Sequence, residues 1–243
     1  MIDAQQAIPP GLQQSLPQII TAIGGLGTAA FGLLEACKPV MPWINRIGFS
    51  GISTAVSKLT PDVAGTGQPA NALLQAKVLD TLRSNWINGT DLASQKAIAK
   101  SLIKLKLSVA NAAQLAAETN VDPTILGDVA ASIASSTSLT QPQSDTYSRF
   151  DLIVTALLDD AYQHADQVYR NWTRALAAGI AIGLAVVGGW TLTANSDFLT
   201  YLQKPEALQA LLVGLLATPL APIAKDISTA LATAVNTLQL VKK

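Results

Sequence analysis

The chain has 243 residues, of which 16 are basic, 16 acidic and only 13% charged in all, against roughly 25% in an ordinary soluble domain. Zero net charge excludes a whole-chain basic footprint for nucleic acid and equally an acidic, solvating chain. A single cysteine (Cys37) excludes an intrachain disulfide framework, and a single histidine (His164) leaves little for a zinc site. Alanine and aliphatic residues dominate the remainder, which points to an all-α chain in contact with a membrane.

Residues 1–16 read as a short polar lead, without Lys or Arg and unlike a signal peptide. The apolar stretch 17–36 is expected to be a first transmembrane helix, about 27 Å long from Pro17 to Leu34. Gly24, Thr28 and Gly32 form a ridge of small residues along it. Cys37 stands just past its end beside Lys38, where palmitoylation is conceivable and an idle thiol the simpler expectation. Lys38–Phe49, with Trp43 and Arg46, reads as an interfacial elbow.

Residues 37–143 are expected to form a helical cytoplasmic domain. Gly65–Pro69 is a loop, and Pro69 opens a helix through Trp86 with Leu73, Leu74, Val78, Leu79 and Leu82 along one side. Asn88-Gly89 breaks it, and Thr90 or Asp91 caps the next helix. There Ile98, Leu102, Leu105 and Val109 form an apolar stripe, with Lys96, Lys100 and Lys104 on the opposite face. Such a lysine stripe is a solvated face, or a contact with anionic lipid heads or an acidic partner. An acidic partner is present in the chain itself. Residues 77–106 carry six basic and two acidic side chains, and residues 118–166 one basic and eight acidic. That polarity can be satisfied within one domain or between copies.

Leu115–Val129 has the outline of a helix-turn-helix, with Asn120 at the turn. Its second helix, however, begins Asp122-Pro123, carries Asp128 and has no Arg or Lys, so it would face phosphates with negative charge. Two small helices meeting at an Asp-Pro N-cap is the expected structure, and no nucleic-acid partner is expected.

Residues 144–173 read as a cytoplasmic stalk helix. Phe150, Val154, Leu157, Ala161, His164, Val168 and Asn171 form a heptad-like seam, and no Pro or Gly interrupts Ser144 to Ala178. The helix is expected to run unbroken into a second transmembrane helix at 174–195. Its 22 uncharged residues lie between Arg174 and Asp197, and Trp172 and Trp190 sit about 27 Å apart, the spacing of two interfacial belts. With Trp43 they are the expected interfacial anchors. Ala175, Gly179 and Gly183 give this span a GxxxG-type ridge for close helix packing, with the same chain or another copy. A short external loop at 196–206 leads to a third span at 207–222, which Pro219 kinks or ends. Residues 223–243 form an amphipathic helix that docks on the middle domain or lies on the membrane surface.

Basic residues are absent before the first span, twelve in 37–174, one in 195–206 and three in the tail. The positive-inside rule then places the N-terminus outside and the C-terminus in the cytoplasm.

Little here carries chemistry. Asp160 and His164 stand i,i+4, a spacing that permits a metal pair, but no second histidine or nearby thiol completes a ligand set. Asp159-Asp160 point apart on a helix, and no Walker, Rossmann, HExxH or nucleophile-elbow pattern is present. Within the expected spans the charged residues are Glu35 and Arg174, each at the end of its span, so none lies at a span's centre, where the proton relay of an active transporter usually sits. No catalytic residue, cofactor or metal is expected.

From Arg149 to Asp226 the chain resembles a loose group of uncharacterised bacterial three-span membrane proteins. The resemblance rests on a long cytoplasmic helix entering a span, a brief external loop with an Asp (Asn195-Ser-Asp197), and a final span followed by a Pro and Asp turn (Pro222 to Asp226). It covers about a third of the chain and implies topology and a bacterial inner-membrane setting, without an activity. The expected role is a non-catalytic scaffold, anchor or accessory subunit of a membrane assembly, self-associating through small-residue faces and charge-polarised helices. The alternative is an oligomeric pore or channel, toxin-like in action.

Overall fold

The computed structural model describes residues 10–62, 74–193 and 197–222, with side chains from residue 19 onward. The expected loop at 65–69, the start of the helix at Pro69 and the C-terminal amphipathic helix lie outside the described residues. Among the described residues the chain is all-α and strand-free. Its helices are α1 (Pro10–Cys37), α2 (Phe49–Leu59), α3 (Gln75–Ile87), α4 (Leu92–Lys106), α5 (Ala112–Thr119), α6 (Pro123–Ala134), α7 (Gln141–Leu192), α8 (Phe198–Leu202) and α9 (205–222). They divide into two compact units, one of residues 42–170 and one of the two chain ends, up to 41 and from 171 onward. Helix α7, 52 residues without a break, contributes to both.

In the 42–170 unit, local chemistry sets each boundary. Gly48 precedes α2 at φ +89°, a conformation open to glycine, and a Cβ there would collide with the Ala165 carbonyl. Asp91 caps α4 by accepting from the Ser94 amide at 2.9 Å. Asn120 ends α5 in the left-handed region at φ 49°, where its short polar side chain is tolerated. Asp122 then accepts from the Thr124 and Ile125 amides, with Pro123 in the first turn of α6. Thr140 and Gln143 start α7 in the manner of a capping box, the Thr140 amide donating to Gln143 Oε1 at 2.9 Å.

The core of this unit draws on every helix from α2 to α7. Ile52, Val56 and Leu59 of α2 meet Leu82 of α3, Ile103 of α4, Leu115 of α5 and Leu126 of α6 around Phe150, Val154, Leu158, Tyr162 and Ala165 of α7. Segment 144–173, expected as a stalk apart from the 37–143 domain, is instead the centre of that domain as far as Arg170. The seam is also rotated. Leu157 and His164 are exposed, and Leu158, Tyr162 and Ala165 take the buried positions. The physical reason is the partner surface: a helix packed on several sides by other helices buries a broad face of period 3.6, not the narrow seam of a two-stranded coil.

Helix α4 departs from expectation in the same way. Its buried residues are Gln95, Ala99, Ile103 and Lys106, whereas Leu105 and Val109 are exposed. Lys106 explains the rotation. Its ammonium is buried, donates to the Thr60 carbonyl at 2.8 Å and pairs with Asp62. Gln75 Nε2 donates to the same Thr60 carbonyl at 3.0 Å and to that of Ser57 at 2.8 Å. Two side chains from other helices thus satisfy the open carbonyl end of α2.

In the other unit α1, the end of α7, α8 and α9 pack together, and small residues make up most of the interior, with Leu34 and Tyr201 also buried. Ala30, Ala181 and Ala217 are fully buried, with Ile23, Leu26 and Ile180 against them. A Cβ on Gly27 would run into the Ala217 carbonyl, and one on Gly214 would stand 2.5 Å from Ile182 Cα. Helix α9 continues past Pro219 to residue 222, where an end near Pro219 had been one of the expected outcomes.

Replacing Lys106 with Met is expected to cost about 1–2 kcal/mol, because it removes one of the two donors to the Thr60 carbonyl and the ion pair with Asp62. Lys96→Met, at a half-exposed pair, is expected to cost less than about 1 kcal/mol. Urea denaturation followed by near-UV circular dichroism compares the two.

Candidate functional site

The three lysines singled out from the sequence lie along α4, and each finds an aspartate on α7. Lys96 pairs with Asp159 at 2.5 Å, Lys100 with Asp151 at 2.6 Å and Lys104 with Asp151 at 3.0 Å. Lys104 also stands over the Tyr147 ring, 5.1 Å from its centre. At these positions the basic and acidic segments neutralise each other inside the 42–170 unit. Burial pushes the Asp151 carboxyl up, but hydrogen bonds and charge from Lys100 and Lys104 outweigh it and hold the group below its ordinary value. The Asp151 hydrogen bond raises Lys104 in turn, against desolvation and with help from Tyr147.

The expected packing residues separate into two sets. Gly24 is buried on the inner side of α1, in line with Gly27 and Ala30. Thr28 is exposed and returns its hydroxyl to the Gly24 carbonyl at 3.1 Å. Gly32, Ala175, Gly179 and Gly183 are exposed too, and a Cβ at Gly32, Gly179 or Gly183 would meet nothing within 4 Å among the described residues. The GxxxG ridge therefore does not join the helices of the described fold. Residues that reading the sequence missed do so: Gly27, Ala181, Gly214 and Ala217. A signal existed on α9, where the small residues Ala207, Gly214, Ala217 and Ala221 recur on one face and are the buried ones.

Large aliphatic side chains take the opposite position. Leu208, Leu211, Leu212, Leu215 and Leu216 of α9, Leu33 of α1 and Val187 of α7 are all exposed. Of the expected anchors, Trp43 and Trp172 are exposed, while Trp190 is half-buried with its ring 5.4 Å from Phe198 in an edge-to-face contact. Tyr201 of α8 is fully buried, and its hydroxyl lies against Gly189.

Asp160 and His164 line a shallow groove of about 470 Å³ with Lys58 and Glu118, over Leu157 and Ala161. Among the described residues no three His, Cys, Asp or Glu converge as a metal site would require. The Tyr162 hydroxyl is buried without a partner, and burial pushes it up to about 12.

No protein-family model, curated protein or solved structure matches the chain.

The Asp151 pairing predicts a pH dependence with a definite sign. The folded-state carboxyl titrates below its ordinary 3.8, so its contribution is complete above that value and is lost as pH falls through the lower folded-state value. Asp151→Asn is expected to lower stability at neutral pH by about 1 kcal/mol and to flatten the stability profile between about pH 5 and pH 2. Urea midpoints measured across that range check it.

Proposed function

We propose that the chain is a non-catalytic membrane scaffold or anchor, a subunit that self-associates in the bilayer through the outward ridge Ala175–Gly179–Gly183. One observation carries the membrane reading: in the unit formed by the chain ends most buried residues are alanine or glycine, with Leu34 and Tyr201 beside them, while the leucines of α9 are outside. Water selects the reverse arrangement, because burying large apolar side chains is the main driving force for folding there. In lipid the solvent is itself apolar, and helices associate by close backbone packing at Gly and Ala. Ile19–Cys37 and the apolar part of α7 are long and apolar enough to cross a membrane, yet only 22% and 11% of their apolar windows is buried. Core helices of a water-soluble domain would be mostly buried.

In this reading α1, the end of α7 and α9 are the three spans. Excess basic charge in the segment between the first two places the 42–170 unit in the cytoplasm, with the N-terminus outside. The setting of a bacterial inner membrane rests on the resemblance of residues 149–226. Lipid and further copies of the chain are the partners, and the exposed ridge on α7 is where a second copy packs. Within one copy, the contacts of Gly27 with Ala217 and of Gly214 with Ile182 bring backbones together, which supports a scaffold over a pore through a single subunit.

Gly179→Leu combined with Gly183→Leu is expected to weaken self-association in mild detergent by about tenfold or more, about 1.4 kcal/mol. Helix content should be unchanged. Gly214→Leu, directed at the interior, should disrupt the helix packing itself. Mass photometry and far-UV circular dichroism separate these outcomes, and ion flux from reconstituted vesicles would replace the scaffold with the pore.

A further inference from the structure

Between Lys38 and Arg46 the chain carries no charge, and Pro39-Val40-Met41-Pro42-Trp43 is an unbroken apolar run, every residue of it exposed. Val40 is 80% exposed, Met41 43% and Trp43 52%. Water opposes so long an exposed apolar run, which marks a surface that something else covers. The backbone of the segment has no donor to offer water either. The Val40 and Met41 amides both donate to the Cys37 carbonyl, at 3.0 and 2.8 Å. That of Lys38 donates to the Leu34 carbonyl at 3.2 Å, and Pro39 and Pro42 have no N–H. From Lys38 to Pro42, therefore, each amide is bonded or absent. An apolar medium demands that of a non-helical segment, because an open N–H placed there loses its hydration without return.

Position along the chain identifies the cover. The two hydrogen bonds to Cys37 hold Val40 and Met41 within one turn of the end of α1. Ile19–Cys37 is long and apolar enough to cross a membrane. The headgroup layer on each side of the hydrocarbon core is about 5–7 Å deep. A turn tied to the last residue of a span therefore lies in that layer. Flanking charge suits the same place. Lys38 pairs with Glu35 at 2.5 Å and Arg46 is exposed, so a cation stands on each side of the apolar run, as at the level of lipid phosphates. Pro39 and Pro42 hold φ fixed, so the turn loses little freedom on being covered.

We propose that residues 39–43 are a wedge that sets Val40, Met41 and Trp43 into the boundary between lipid headgroups and acyl chains, where α1 leaves the bilayer. The wedge rests on the membrane reading of α1. Its role is to hold the start of the 42–170 unit at the lipid surface.

Spin labels on single cysteines test it, in the full chain with Cys37→Ser as background, reconstituted into phosphatidylcholine–phosphatidylglycerol vesicles. Met41→Cys carries the label in the wedge, Ala29→Cys at an exposed position midway along α1, and Ser101→Cys on the exposed face of α4. Collisions are measured with dissolved oxygen, which concentrates in lipid, and with a water-soluble nickel chelate. The label at residue 41 is expected to collide with oxygen, to lose most of the nickel collisions seen at residue 101, and to lie shallower than residue 29. Nickel collisions at 41 equal to those at 101, with residue 29 in lipid, would overturn the wedge and leave the membrane reading standing. Protection of residue 41 from both agents would mean that protein covers the turn, and would overturn the wedge as well. Nickel access at residue 29 would remove the membrane reading and the wedge with it. Val40→Cys, at the most exposed position of the run, repeats the measurement if Met41→Cys disturbs folding.

Discussion

Helix α7 is the element on which everything else depends, because one uninterrupted helix is built into two different interiors. Over its first thirty or so residues the buried face carries Phe150, Val154, Leu158 and Tyr162, large side chains that fill space among five shorter helices. Beyond residue 171 the buried face is Ala177 and Ala181, and neighbouring helices approach until their backbones touch. A helix can change its packing partner without changing its backbone, since hydrogen bonding along the axis is independent of what the side chains meet.

The two interiors are built from different side chains. In the 42–170 unit large apolar side chains are removed from water, and polar groups at helix ends are answered one by one: Lys106 and Gln75 at the end of α2, Asp91 and Asp122 at the starts of α4 and α6. The Lys–Asp contacts along α4 and α7 are part-exposed and individually weak, and Lys100 and Lys104 share Asp151. In the unit of the chain ends, glycine and alanine faces come into van der Waals contact, and the leucines of α9 stand exposed.

This difference explains why the same kind of pattern succeeded in one place and misled in another. The GxxxG sequence at Gly179–Gly183 is the more recognisable motif, yet the interior contacts go to Gly27 and Gly214. Small residues permit close approach on whichever side they lie. When a helix has them all round, as α7 does from Ala175 to Gly189, the spacing alone does not select a face. On α4 the alternation of Leu and Lys is similarly ambiguous, and the buried ammonium of Lys106 broke the tie. Helix α2 follows the expected elbow, and its Ile52, Val56 and Leu59 carry the spacing of a buried helical face.

What the sequence by itself determined is what depends on neighbours along the chain. All-helical content, a cap at Thr90 or Asp91 (the structure uses Asp91), the Asp122 cap, the turn at Asn120, and the unbroken passage of α7 past Arg174 follow from propensity, capping and the positions of Pro and Gly. The opposite charge of 77–106 and 118–166 was legible as well, though not whether it would be met within one domain. Tertiary structure decided the rotations: Leu158 in place of Leu157, Ile103 inward and Leu105 outward, Gly214 inward and Gly179 outward. It also joined the supposed stalk to the domain. Rotation about a helix axis costs the helix nothing internally. Only contacts between residues far apart in the chain can choose it.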